Sequence, residues 1–82
     1  MYDIEFPDNA RRQFLGLEKG SKRRIAAALE RIRIKPELYV TKLVGDPAYK
    51  LRVGDYRVLM DIYKGKLIIL VLKVGHRKNV YR

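Results

Sequence analysis

Apolar and polar residues alternate from the start of the chain: Tyr2, Ile4 and Phe6 are separated by Asp3 and Glu5, the period-two pattern of a strand. Pro7 stops it. Asp8 or Asn9 can then cap a helix over roughly residues 9–19 that turns Ala10, Phe14 and Leu17 inward. On this reading Gly20 ends that helix and Ser21 caps a second, in which Ile25, Leu29 and Ile32 recur at helical spacing until Pro36. Short amphipathic helices joined by so short a link predict a helical hairpin. Residues 36–48 show little regular pattern and read as a loop.

The second half reads as a meander. YKLRV (49–53) and YRVLMDIY (56–63) flank Gly54-Asp55, a two-residue loop with glycine first, as a type II′ hairpin requires. Such a loop pairs Val53 with Tyr56, Arg52 with Arg57 and Leu51 with Val58. It therefore sets Tyr49, Leu51, Val53, Tyr56, Val58, Met60 and Ile62 on one face, as a core side. Lys64-Gly65-Lys66 turns the chain into a last strand over 67–74, whose near-absence of alternation predicts a central strand covered on both faces. The element order predicts one α+β domain over residues 1–82: an N-terminal strand, a two-helix hairpin, then an antiparallel three-stranded meander, with the helices on one face of the sheet.

The same hairpin register gathers charge. Lys50, Arg52 and Arg57 share the face opposite the apolar one, and the two arginines stand directly across from each other. Like charges so placed cost about 0.2–1 kcal/mol. Side chains splayed into solvent remove that cost, and so does an anion between them, since guanidinium forks match phosphate geometry. The last strand then runs into KVGHRKNVYR (73–82), which holds four Lys or Arg, the only histidine, His76, and Tyr81, with no acid.

Composition extends this to the whole molecule. Nineteen Lys and Arg against nine Asp and Glu give a net charge of +10 on 82 residues. A small domain so charged attracts polyanions, nucleic acid first, with an acidic protein or a membrane surface as the alternatives. The longest apolar run, LIILVL at 67–72, is far short of the roughly 20 residues that span a bilayer. MYDIEF carries acids where a signal peptide has a basic start. A soluble cytoplasmic protein with no membrane partner is expected. With no cysteine, one histidine and scattered acids, no disulfide, thiolate nucleophile, metal site or cofactor is expected either.

KLRVGDYRVLMDI, the apolar strand and VGHRKNVYR together resemble the RelE/ParE toxin superfamily, specifically its RelE-type mRNA interferase branch. The likeness runs nearly end to end and includes the TKLVG segment at 41–45. It implies a bacterial or archaeal toxin of a type II toxin–antitoxin system. Such a toxin is a metal-independent, ribosome-dependent endoribonuclease that cleaves messenger RNA in the decoding site of the small subunit, by attack of a ribose 2′-hydroxyl. It also implies an acidic, RelB-like antitoxin that holds the toxin inactive in a hetero-oligomer. By this resemblance Arg57 steadies charge on the scissile phosphate. Arg77 protonates the leaving group or stabilises its charge, Tyr81 is the base on the 2′-hydroxyl, and Lys50 is one lysine of a substrate-binding pair. Ala48 stands where the other lysine of that pair is found. His76 stands where some relatives carry lysine, adding a group able to act as acid or base near neutral pH. Arg52, Lys42, Lys73, Lys78 and Arg82 complete the expected RNA-binding set. Two other readings stay open: the same fold serves a ParE branch that poisons DNA gyrase, and a non-catalytic RNA-binding module needs the charge alone.

Overall fold

The structure, a computed structural model, describes residues 1–81. Its elements run β1 (Asp3–Glu5), α1 (Asp8–Leu15), α2 (Lys19–Ile32), β2 (Thr41–Lys42), β3 (Tyr49–Val53), β4 (Tyr56–Tyr63) and β5 (Ile68–His76). The sheet has five strands in the order β1-β5-β4-β3-β2, with β1 parallel to β5 and every other pair antiparallel. The meander is thus the centre of a mixed sheet, and no helix among the described residues is long and apolar enough to cross a membrane.

The hairpin register is the one the two-residue loop dictates: Val53 pairs with Tyr56, Arg52 with Arg57, Leu51 with Val58. Gly54 has φ +59° and Asp55 does not share the positive region, as a type II′ turn requires. Leu51, Val58 and Met60 accordingly lie in the core beneath the helices, with Tyr49, Val53, Tyr56 and Ile62 packed at its margin. Ala10 of α1 and Ile25, Leu29 and Ile32 of α2 supply the other half of that core.

Several local boundaries differ from those the sequence suggests. Helix α1 stops at Gly16, whose N–H bonds the Arg12 carbonyl, and neither Asp8 nor Asn9 caps its start; Asp8 is the first helical residue. Gly20 and Ser21 lie inside α2. Ser21 is buried and donates its hydroxyl to Glu18 Oε1 at 3.1 Å, so it packs against the helix start instead of capping it. The stretch read as a loop holds a 3₁₀ turn at Pro36–Leu38 and the edge strand β2, which pairs Thr41 with Lys50 and Lys42 with Tyr49. In the β4–β5 turn the left-handed residue is Leu67 (φ 54°) and not Gly65; its carbonyl accepts Asp3 N–H at 2.9 Å, tying the turn to β1.

Strand β5 is flanked by β1 and β4 and is covered on one face only. Its lack of alternation has a different cause from two-sided burial. Leu59 pairs with Lys73 but Met60 pairs with Val71, so Leu72 is the extra residue of a β-bulge. The bulge lets Val71 and Val74, three positions apart, both face the core, while Leu72 turns outward at 36% exposure. Beyond Leu70 the other edge of β5 has no strand beside it, because β1 reaches only Ile68–Leu70. Gln13 of α1 fills the gap: its Oε1 accepts Val74 N–H at 2.9 Å. Arg33, at the end of α2, similarly ties β1 down, donating Nε to Tyr2 O at 2.7 Å while its own carbonyl accepts Tyr2 N–H at 2.8 Å.

Gln13→Leu removes the side-chain acceptor of the Val74 N–H and should cost about 1–3 kcal/mol. Arg12→Leu, one residue away and exposed, should stay within about 0.5 kcal/mol. Urea unfolding midpoints of the two variants check the contrast.

Candidate functional site

The sheet face away from the helices carries Arg52 and Arg57 opposite each other, with Lys50 one step along β3. The two arginines resolve their repulsion differently. Arg52 is exposed, whereas Arg57 is only 8% exposed and folds back on the hairpin tip. Its Nη1 donates to Gly54 O at 2.9 Å and to Tyr56 O at 2.8 Å, and no carboxylate pairs with it among the described residues. A buried guanidinium held by carbonyl dipoles keeps its full charge available to an incoming anion.

The C-terminal run is placed by the same hairpin. Tyr56 pairs with His76 and Arg57 with Gly75, so β5 delivers residue 77 to the tip of the β3–β4 turn. There Arg77 N–H bonds Asp55 O at 2.8 Å, and its Nε lies 3.7 Å from Asp55 Oδ1 in an exposed ion pair. The chain then turns back over Gly75: Asn79 and Val80 donate their N–H groups to His76 O at 2.9 and 3.0 Å. Val80 is buried against the glycine, its Cβ 3.6 Å from where a Gly75 side chain would begin. A single apolar residue in a basic run thereby anchors the tail.

These placements form one open cleft of about 460 Å³ lined by Lys50, Arg52, Arg57, Arg77, Lys78 and Tyr81. Five cations and a phenol share it, and Tyr81 is half exposed at 53%. The remaining residues singled out from the sequence lie elsewhere. Lys42 is exposed on edge strand β2, and Lys73 sits at the bulge, lining hollows beside the cleft. Arg82 lies outside the described residues. Among the described residues no group of three His, Cys, Asp or Glu side chains is placed to hold a metal ion.

His76 does not line the cleft either. Its strand partner Tyr56 faces the core, and the two rings meet edge to face at 5.7 Å on the helix side of the sheet. Its Nδ1 accepts Lys78 N–H at 3.2 Å, the bond an Asx residue makes in an Asx turn. His76 therefore shapes the turn that carries Arg77, Lys78 and Tyr81. Sequence reading missed Asp55 and Val80. Asp55 was within reach of it, since extending the β4–β5 pairing to Tyr56 and His76 brings Arg77 beside the Gly54-Asp55 turn.

Comparison with known proteins follows the same lines. A family model described as the ParE toxin of the type II toxin–antitoxin system, parDE, matches residues 4–81. No curated protein matches the chain. Among solved structures, the toxin–antitoxin complex RelBE2 from Mycobacterium tuberculosis contains a chain 27% identical, with TM-score 0.75 over 93% of this chain and 98% of that one. The intact RelBE complex of E. coli gives 26% identity and TM-score 0.79 over 93% and 96%. The archaeal RelE–RelB complex of Pyrococcus horikoshii, at 23% identity and TM-score 0.76 over 96% and 98%, shares the fold.

His76→Asn retains an acceptor two residues before Lys78 and should keep that amide protected from hydrogen exchange, whereas His76→Leu should expose it. Amide exchange followed by NMR reads both outcomes.

Proposed function

The chain belongs to the ParE toxin family of type II toxin–antitoxin systems, within the RelE/ParE superfamily, and we propose that it is a RelE-type ribonuclease acting on messenger RNA. The observation that carries this reading is the composition of the cleft. Lysine and arginine donate hydrogen bonds and accept none. The Tyr81 oxygen is therefore the sole side-chain acceptor lining the cleft among the described residues, and it takes the proton of the ribose 2′-hydroxyl. Five cations line the cleft that the phenol shares. The freed 2′-oxygen attacks the adjacent phosphorus, forming a cyclic phosphate and expelling the 5′-oxygen of the next nucleotide. Arg57, already fixed by its carbonyl partners, stabilises the charge that builds on the phosphate without reorganising. Arg77 clamps the departing oxygen electrostatically. A guanidinium parts with its proton too reluctantly to be an efficient acid, which leaves proton donation to the lysine ammonium groups of the cleft. Lys50 and Lys78 are those lysines, and Arg52 holds a flanking phosphate.

With so few acid–base groups, the enzyme depends on a substrate already oriented, which the ribosomal decoding site provides. Free RNA should be cut poorly. The relatives from Mycobacterium tuberculosis and E. coli are toxin–antitoxin complexes, which supports an antitoxin for this chain as well. A net charge of +10 favours an acidic one that folds on binding in the cytoplasm, covering charged and apolar surface together. Gyrase inhibition is the second reading, favoured by the name the family model carries. It makes no use of a tyrosine set among five cations.

Tyr81→Phe, which removes only the hydroxyl, should slow single-turnover cleavage on programmed ribosomes on the order of 10²-fold or more, with ribosome affinity unchanged. Arg57→Ala should slow the same step and also bind more weakly, with a shallower dependence on salt because one cation–phosphate contact is gone. Wild-type cutting by Tyr81→Phe removes the base assignment. Inhibition of supercoiling with no cleaved message moves the function to gyrase.

A further inference from the structure

Next to the cation cleft lies a hollow of about 360 Å³ with walls of another kind. Leu43, Ala48, Leu59, Leu72 and Val80 line it with Lys73 at its margin, and Tyr81 belongs to both, so its ring stands between a cation cleft and a mainly apolar one. The volume falls within the about 300–1,000 Å³ typical of small-molecule pockets. The hollow lies on the sheet face that the helices leave uncovered, and Leu72 and Tyr81 are 36% and 53% exposed, so its apolar surface is open to a ligand. Asp46 is the one carboxylate among the described residues that line it. Oδ1 of Asp46 accepts Ala48 N–H at 2.8 Å, which fixes the group, and Oδ2 has no partner among the described residues.

We propose that this hollow receives a nucleobase of the RNA whose phosphate lies in the cation cleft, and that Asp46 selects bases bearing an amino group. The proposal rests on the cleft being an RNA site. A base and its phosphate are joined through one sugar, so a strand held by Arg57 and Arg77 carries a base within a nucleotide's reach of the cleft. The shared Tyr81 wall makes the hollow the adjoining surface on which that base leaves water, against an aromatic ring and branched aliphatic side chains. Adenine, cytosine and guanine each present an amino donor that a carboxylate oxygen accepts. Uracil has no amino group, and its one ring donor, N3–H, lies between two carbonyl oxygens that the carboxylate repels.

Two measurements on the full chain test this. The first titrates short 2′-O-methyl oligoribonucleotides, which cannot be cleaved, and an abasic oligomer of the same length, following side-chain methyl signals by NMR. Base-bearing oligomers should shift Leu43, Leu72 and Val80, with adenine, cytosine or guanine binding about fivefold or more tighter than uracil, and the abasic strand should leave those methyls in place. Equal shifts with the abasic strand, or methyls unmoved while the cleft arginines respond, overturn the proposal. The second repeats the titration with Asp46→Asn, which keeps an oxygen for Ala48 N–H and replaces the other with an NH₂ donor. The preference against uracil should vanish or invert, and its persistence overturns the role of Asp46. Because neither measurement requires cleavage, methyl shifts from a protein that cuts no message would uphold the base site while refuting the ribonuclease reading.

Discussion

Three consecutive carbonyls at the tip of the β3–β4 hairpin, those of Gly54, Asp55 and Tyr56, receive hydrogen bonds from the side chain of Arg57 and the backbone of Arg77. The rest of the site follows from this turn. A two-residue loop with positive φ at its first position sets the register that puts Arg57 opposite Arg52, and the oriented carbonyls then give Arg57 a reason to fold back. The same tip meets the end of β5, so residues distant in sequence converge without a long loop to order. A site built on paired strands holds its groups more closely than one built on mobile loops.

Collecting five cations in one cleft opposes folding through their mutual repulsion, and the chain limits that cost by local means. Carbonyl dipoles solvate Arg57 without cancelling its charge, and the exposed carboxylate of Asp55 pairs with Arg77. The tail is held by Val80, packed over Gly75, and by the His76 carbonyl and imidazole. A polyanion entering the cleft removes repulsion that the folded protein otherwise carries. On the proposed ribonuclease reading, the excess of positive charge that draws RNA would also draw an acidic antitoxin, so activity and its inhibition would use one electrostatic field.

The element types, the core face of the hairpin and the cleft residues of β3 and β4 were legible in the sequence, because a Gly-Asp loop fixes register and register fixes faces. The basic tail was legible as a cluster, but its geometry was not. Whether His76 meets Arg57 or turns from it depends on a one-residue alternation, and the β5 pairing sends it to the core side with Tyr56. The bulge at Leu72 hid the alternation of β5, because an inserted residue moves the following side chains to the opposite phase. Strand β2 was missed because two residues are too few for a pattern, and Ser21 because a helix-capping residue type can also sit inside the first turn.

On the proposed function, this cleft breaks RNA through the ribose 2′-oxygen using the side chains of the chain itself. End-group analysis of message cut on programmed ribosomes tests it most directly, because the chemistry of attack is written into the products. Attack by the 2′-oxygen should leave an upstream fragment ending in a 2′,3′-cyclic phosphate and a downstream fragment beginning with a 5′-hydroxyl. A 3′-hydroxyl paired with a 5′-phosphate would contradict it, since those ends require attack by water and give Tyr81 no 2′-proton to remove.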